Sequence, residues 1–221
     1  MNYKLLRAVI SPALKMLWPT TFYGTENLIL DKNVVYVCNH YSALDTNAMV
    51  AKIFKNKFNV VIKGEAFKSK FGARFLTGMG GIPIERGEAD VEAVKKILGV
   101  LKSGEPLLLF PEGTRNKSGS KEMFKFKDGA VVFALKTGSP IIPMVQYRPP
   151  KIFRRNYVLI GKPMYLEKYS GMRTSSVKCE ATQDLYDEML RLRHQLDNIV
   201  ENCRGDLKKY ELSTKMRLEK K

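Results

Sequence analysis

Histidine, cysteine and acidic side chains are scarce in this chain: 2 histidines, 3 cysteines and 22 Asp plus Glu stand among 221 residues, against 38 Lys plus Arg. Cys38, Cys179 and Cys203 are widely scattered, form no C-x-x-C, and have few histidines to join them. That pattern speaks against a disulfide framework and a zinc site, and it fits a reducing, cytosolic compartment. Long apolar runs are also missing. The longest stretch free of Asp, Glu, Lys and Arg runs from Asn33 to Leu44, far short of the ~18 apolar residues that a spanning helix needs. The first residues show no small-residue cleavage site, so the expectation is a chain without a secretory signal or a membrane span. No G-x-S-x-G occurs, which argues against a serine elbow and a covalent acyl-enzyme. The lack of internal repeats or a Pro/Gly/Ser-rich divide points to one domain with a helical tail.

What the chain has in abundance is positive charge, a formal +16. A surplus of that size attracts polyanions: nucleic acid, an anionic membrane, or an acidic carrier. No RNP-like strand and no helix-turn-helix pattern stands out to favour nucleic acid.

The amino-terminal stretch NYKLLRAVISPALKMLW places Leu5, Leu6, Val9, Ile10, Leu14 and Leu17 at helical spacing, with Lys4, Arg7 and Lys15 largely opposite. It reads as a basic amphipathic helix, interrupted or kinked at Pro12 and followed by Trp18, Phe22 and Tyr23. Such a helix can dock on the core or lie in a membrane interface. Beyond it, β-like runs at 33–38, 58–62, 80–85, 106–110, 140–147 and 156–161 alternate with helical patterns at 46–55, 66–78, 89–102 and 128–137. Repeated β-α order predicts an α/β fold with a largely parallel sheet flanked by helices. From Thr182 to Val200 an apolar seam (Leu185, Met189, Leu192, Leu196, Ile199) predicts a helix packed on its own domain. RGDLKKYELSTKMRLEKK then reads as a solvated basic tail. The corresponding division is an amphipathic segment at 1–24, an α/β domain at 25–180, and a helix with basic tail at 181–221.

Three constellations could carry chemistry. In VYVCNHYSALDT, His40 follows a strand and Asp45 lies five residues on. On one continuous helix these side chains would point ~140° apart, so they need a turn between them to meet. Ser42 with Asp45 also matches a helix-capping pattern, and His40 can simply be a histidine bonded to backbone. Alternatively, the carboxylate orients the imidazole and leaves its second nitrogen as a general base. The second constellation is LLLFPEGTRNKSG, a buried strand that breaks at Pro111-Glu112-Gly113-Thr114-Arg115, where α/β sheets place ligands. Gly113, Thr114 and Arg115 make a plausible phosphate cradle, though an ordinary polar loop reads the same way. The third is MGGIPIERG, which ends a strand at Glu85-Arg86; Lys63 ends another in VIKGE. Either cation can face an anion or solvent.

Taken together, these residues resemble the glycerolipid acyltransferase family, typified by 1-acylglycerol-3-phosphate acyltransferases. Asn39-His40 with Asp45 is similar to its H-x₄-D block, Gly81 through Arg86 to its G-x-x-x-[DE]-R block, Phe110 to Arg115 to its F-P-E-G-T-R block, and Ile141-Ile142-Pro143 to its apolar-proline block. The order matches and most of the chain is covered. Glu85 stands where aspartate is commoner, and Ala66 stands where the family commonly has Leu near the lysine block.

The resemblance implies direct transfer of a fatty acyl group from an acyl-carrier-protein or coenzyme A thioester to the hydroxyl of 1-acylglycerol-3-phosphate, giving phosphatidate for phospholipid synthesis. His40 is implied as the base and Asp45 as its orienter. Arg86 and Arg115 are implied to hold the acceptor phosphate, Glu112, Gly113 and Thr114 the glycerol backbone, and Lys63 a place near the acceptor site. No metal and no cofactor beyond the thioester co-substrate is implied. The expected setting is the cytoplasmic face of the membrane, with the protein bound peripherally to anionic lipid. Competing expectations are acylation of another lysolipid, of glycerol 3-phosphate or toward an ornithine-type lipid, a hydrolase built on the same dyad, and a non-catalytic basic module for lipid or nucleic acid.

Overall fold

In the computed structural model, residues 3–30, 32–52, 58–85, 90–118 and 120–211 are described. A helix α1 (Tyr3–Leu17) leads into β1 (Thr20–Tyr23). Then follow β2 (Val35–Cys38), α2 (Asp45–Lys52), β3 (Asn59–Lys63), α3 (Lys70–Gly78), β4 (Gly81–Ile84), α4 (Val91–Lys102), β5 (Leu107–Leu109), α5 (Gly129–Thr137), β6 (Ile141–Gln146), β7 (Asn156–Ile160) and α6 (Thr174–Asp197). The strands form one 7-stranded sheet in the order β1-β7-β6-β2-β5-β3-β4. Every neighbouring pair is parallel except β6 with β7.

Period-two alternation sorts the central strand between two cores. Val35 and Val37 face a cluster that includes Ile97 and Leu101 of α4, Val131 and Ala134 of α5, and Leu185, Met189, Leu192 and Leu196 of α6. Tyr36 and Cys38 face the other side, with Met49 of α2, Phe58 and the inner side of α1 at Leu14. All four β2 residues have 0% exposure. This explains why the strand reads as an unbroken apolar run: a sheet covered on both faces has no polar side.

Several expectations are corrected. β1 went unread because Thr-Thr-Phe-Tyr is only 4 residues long and follows an aromatic-proline pair; it forms through pairing of Thr20 to Tyr23 with Asn156 to Leu159. α1 runs through Pro12 as one helix, without the interruption that was one of the two expectations there. Ala8, whose carbonyl the proline cannot bond, lies with Pro12 on the exposed side, where water can serve it. The helix expected at 66–78 divides into a 3₁₀ turn, Gly64–Phe67, and α3, whose start Ser69 caps by accepting the Gly72 N–H at 2.9 Å. The carboxy-terminal helix begins at Thr174 rather than Thr182, and its seam is buried against the sheet, as expected. The basic tail is partly tied down. Leu207 and Tyr210 pack on the core, and the Tyr23 hydroxyl donates to the Gly205 carbonyl at 2.5 Å. Residues 212–221 lie outside the described residues.

Candidate active site

Register fixes which strand ends meet. β2 pairs with β5 through Val37 and Leu109, and with β6 through Cys38 and Met144, so the segments after Cys38, Leu109 and Gln146 emerge side by side. Asn39 extends the junction with its side chain. Its Nδ2 donates to the Gln146 carbonyl at 3.1 Å, and its Oδ1 accepts the Gln146 N–H at 2.8 Å.

The turn between His40 and Asp45 brings them together. His40 Nδ1 lies 2.8 Å from Asp45 Oδ2. The same oxygen accepts the backbone N–H of Tyr41 at 2.7 Å and of Ser42 at 2.9 Å. Asp45 opens α2, and Ser42 Oγ accepts the Leu44 N–H at 3.2 Å. The carboxylate reaching back to the Ser42 N–H is half of the capping pattern that Ser42 and Asp45 suggested. Capping and pairing with His40 are one arrangement. The Asp45 side chain is fully buried, and among the described residues its Oδ1 has no hydrogen-bond partner. The imidazole is 12% exposed and stacks on Phe110 with centroids 4.0 Å apart. Among the described residues its Nε2 has no hydrogen-bond partner.

The loop after β5 clasps the histidine's peptide groups. Glu112 Oε1 accepts the His40 N–H at 2.8 Å, and the Asn116 N–H donates to the His40 carbonyl at 2.7 Å. Glu112 Oε2 takes the Phe124 N–H at 3.0 Å. Glu112 is 4% exposed and its carboxylate meets backbone N–H groups, whereas the resemblance implied a place beside the glycerol backbone. Burial raises its pKa, opposed by the His40 and Phe124 N–H groups. Cys38, two residues from His40, is buried, and burial, then the charges of Asp45 and Glu112, push its thiol well above the usual range, which disfavours the thiolate.

His40 opens onto a cavity of about 250 Å³, whose apolar wall includes Leu109, Phe110, Ile97 and Phe133. Lys63, Gly113 and Lys127 also line it. Lys63 pairs with Glu65 and its side chain stays 42% exposed. Gly113 has φ +64, a left-handed conformation that glycine adopts without strain, and a Cβ there would lie 2.8 Å from Lys127 Cε. Thr114 and Arg115 are exposed. Arg86 falls outside the described residues; Lys63 pairs in register with Ile84, just before it. Among the described residues no group of three or more His, Cys, Asp or Glu could hold a metal ion.

The sequence reading missed Arg193. This side chain, 4% exposed on α6, donates from Nη1 to the Tyr41 hydroxyl at 3.1 Å and the Gln146 carbonyl at 3.0 Å, and from Nη2 to the Tyr147 carbonyl at 3.0 Å. A charged residue next to Leu192 on a buried apolar seam was the available signal.

A model of the Acyltransferase family matches residues 19–147, more than half of the chain. The 1-acyl-sn-glycerol-3-phosphate acyltransferase of Bacillus subtilis (strain 168) is 24% identical over 202 residues, 89% of this chain and 100% of that protein. The protein of the same description from Borreliella burgdorferi is 32% identical over 141 residues, 61% of this chain and 54% of its own length. The Helicobacter pylori protein of that description is 32% identical over 168 residues, 73% of this chain and 70% of its own. The chain therefore spans the whole of the Bacillus relative and about half of the Borreliella one. Among solved structures, the 1-acyl-sn-glycerophosphate acyltransferase PlsC of Thermotoga maritima matches with a TM-score of 0.66 at 21% identity, over 89% of this chain and 83% of that one, a likeness of fold. With these matches standing beside the geometry, the chain belongs to the Acyltransferase family and is an enzyme of that class.

Proposed function

We propose that this enzyme moves a fatty acyl group from a thioester, carried by acyl carrier protein or coenzyme A, to the free hydroxyl of 1-acylglycerol-3-phosphate, yielding phosphatidate. One observation carries the reading: His40 has one ring nitrogen held by Asp45 at 2.8 Å while its ring borders an apolar cavity with cationic side chains in its wall. In the proposed reaction Nε2 takes the hydroxyl proton as that oxygen attacks the thioester carbonyl carbon. The tetrahedral intermediate collapses, the carbon–sulfur bond breaks, and the departing thiolate takes the proton back from the imidazolium. Asp45 holds the tautomer and stabilises the transient positive charge. The route needs no enzyme nucleophile, metal or further cofactor.

Within this reading the cavity takes acyl chain, while Arg115, Arg86 and Lys63 supply positive charge for the acceptor phosphate. Gly113 and Thr114 border the glycerol, and Glu112 acts by positioning the His40 backbone. The Acyltransferase match and the relatives described as 1-acyl-sn-glycerol-3-phosphate acyltransferases support this choice of acceptor.

The proposal includes peripheral binding to anionic membrane on the cytoplasmic face. Among the described residues no helix is long and apolar enough to cross a membrane. α1 supports surface binding in a form the sequence did not suggest. Leu14 packs inward, whereas Leu5, Val9 and Met16, which share a face within about 40° on a helical wheel, are 67%, 72% and 65% exposed. The helix has two apolar faces, one for the core and one left for lipid.

The direct test offers purified protein labelled acyl-carrier-protein and acyl-coenzyme A donors with phosphorylated and unphosphorylated acceptors. Labelled phosphatidate from 1-acylglycerol-3-phosphate is expected. Absence of product from every glycerophosphate acceptor sinks the reading.

A further inference from the structure

The turn joining β6 to β7 runs Tyr147-Arg-Pro-Pro-Lys-Ile-Phe-Arg-Arg155, and no acidic residue occurs from Gln146 to Leu166. At its tip Ile152 is 56% exposed and Phe153 is 70% exposed. Phe153 has φ 58, a left-handed conformation that a bulky residue seldom adopts. The fold gains no burial in return for that strain, so a role outside the fold is the natural place to look. The tip is well defined. Pro149 and Pro150 restrict the backbone, the Arg154 N–H donates to the Lys151 carbonyl at 3.2 Å, and Asn156 Nδ2 donates to the Arg148 carbonyl at 2.9 Å. The Phe153 N–H donates to the Leu17 carbonyl at 2.7 Å, joining the tip to the end of α1.

Around this apolar point stand Arg148, Lys151, Arg154 and Arg155, none of them in an ion pair with the described residues. Arg148 is held below the usual guanidinium pKa, first by partial burial and then by the charge of Arg154. Positive charge is concentrated here without an ion-pair partner among the described residues. The turn leaves the same sheet edge as the His40 loop, and Asn39 and Arg193 bond its base at Gln146 and Tyr147.

We propose that this turn is a bilayer-docking wedge. Ile152 and Phe153 enter the boundary between headgroups and acyl chains, and the surrounding cations sit against anionic lipid phosphates. The inference rests on the reading of a lipid acceptor and deepens it, because the wedge turns the His40 edge of the sheet toward the surface where such an acceptor resides. An adjacent aliphatic and aromatic pair projecting beyond a ring of cations suits a bilayer interface. Nucleic acid would call for flat aromatics spread along a groove, and an acidic carrier protein would use the cations without an exposed Ile-Phe point.

The experiment is co-sedimentation of the full chain with vesicles of phosphatidylcholine alone and of equal parts phosphatidylcholine and phosphatidylglycerol. Ile152→Ser with Phe153→Gly is expected to weaken binding to the mixed vesicles by about tenfold or more, with the melting temperature held or raised because glycine accepts the positive φ. Lys151→Gln with Arg154→Gln is expected to lower affinity for the mixed vesicles toward the weak binding shown to pure phosphatidylcholine, and to leave the latter unchanged. The Ile-Phe variant is expected to keep wild-type acylation of a short-chain, monomeric lysophosphatidate and to lose rate on the same headgroup embedded in vesicles. Wild-type vesicle binding by the folded Ile-Phe variant overturns the wedge, as does no vesicle binding by the wild type. A loss of affinity confined to acyl carrier protein or to duplex DNA also overturns it. Turn-dependent vesicle binding without acylation of any glycerophosphate would instead defeat the proposed reaction and leave the wedge standing.

Discussion

The Arg193 guanidinium meets the Tyr41 hydroxyl at 3.1 Å, so that α6 braces the turn separating His40 from Asp45. The same cation bonds the Gln146 and Tyr147 carbonyls, and its Nε donates to Asp197 at 3.3 Å. One buried side chain thus ties the last long helix, the end of β6 and the His40 turn into a single body. Replacing Arg193 by Met removes the donor to the Tyr147 carbonyl and to the Tyr41 hydroxyl and leaves the Gln146 carbonyl with Asn39 Nδ2 alone, at a cost of about 1–3 kcal/mol. Chemical denaturation should show that loss. Steady-state kinetics should show kcat falling by about tenfold with KM little changed, since the turn is loosened while the cavity stays. Lys at this position should recover part of the stability and less of the rate, because it cannot span several carbonyls at once.

His40 and Asp45 separate charge from shape. Asp45→Asn can keep its oxygen toward His40 Nδ1, Tyr41 and Ser42; its amide then takes the Oδ1 position, which has no partner among the described residues, so the cost of buried unpaired donors is offset by removal of a buried charge. The melting temperature should therefore change little. Activity should fall by about 10²–10⁴, as for His40→Ala, because the imidazolium loses its counterion. A collapse of folding in the Asn variant, or retention of most activity in the Ala variant, would contradict the assigned roles.

Glu112 imposes a pH signature on stability. Burial raises its pKa in the folded state, against the lowering effect of the His40 and Phe124 N–H groups. The folded protein therefore binds this proton more tightly than the unfolded chain. Stability falls as pH rises from the ordinary glutamate range through the raised value, and the cost is then constant. Asp90, Asp184 and Glu201 are lowered and act oppositely, losing their contribution as pH falls through their own folded values. Subtracting the unfolding free energy of Glu112→Gln from that of wild type, measured across pH, should isolate the Glu112 slope. The same variant should lose activity by about tenfold, because an amide offers only one oxygen to two backbone N–H groups.

Gly113 tests the mouth of the cavity. With φ +64, and with Lys127 Cε 2.8 Å from where an alanine methyl would stand, Gly113→Ala must strain the backbone and push the lysine aside. The expected cost is about 1–2 kcal/mol by thermal denaturation. KM for the phosphorylated acceptor should rise more than kcat falls, because the displaced group borders the cavity and leaves His40 and Asp45 in place.

Much of this arrangement was legible in the residues. Apolar runs bounded by turns located six strands, since a buried strand must be apolar whatever its neighbours are. The His40 turn and FPEGTR were legible because each concentrates unusual residue types after a strand. β1 was not, because a short edge strand exists through its partner, here the run from Asn156 to Leu159. Glu112 could not be assigned a partner, because the N–H groups it accepts belong to His40 and Phe124, distant in the chain or across a loop. α1 was read with one apolar face because spacing shows which side chains align, and the packing of Leu14 decides which of them remain for solvent.

By itself, then, the sequence determined the alternation of strands and helices, the excess of positive charge, the turn that lets His40 reach Asp45, and the resemblance carried by its ordered blocks. These follow from local periodicity, composition and short spacing. The tertiary structure decided the strand order, the backbone clasp of Glu112 and Asn116 on His40, the bracing by Arg193, and the joining of the Phe153 turn to α1. Those depend on contacts between residues far apart in the chain, which come close only when both faces of the sheet are buried.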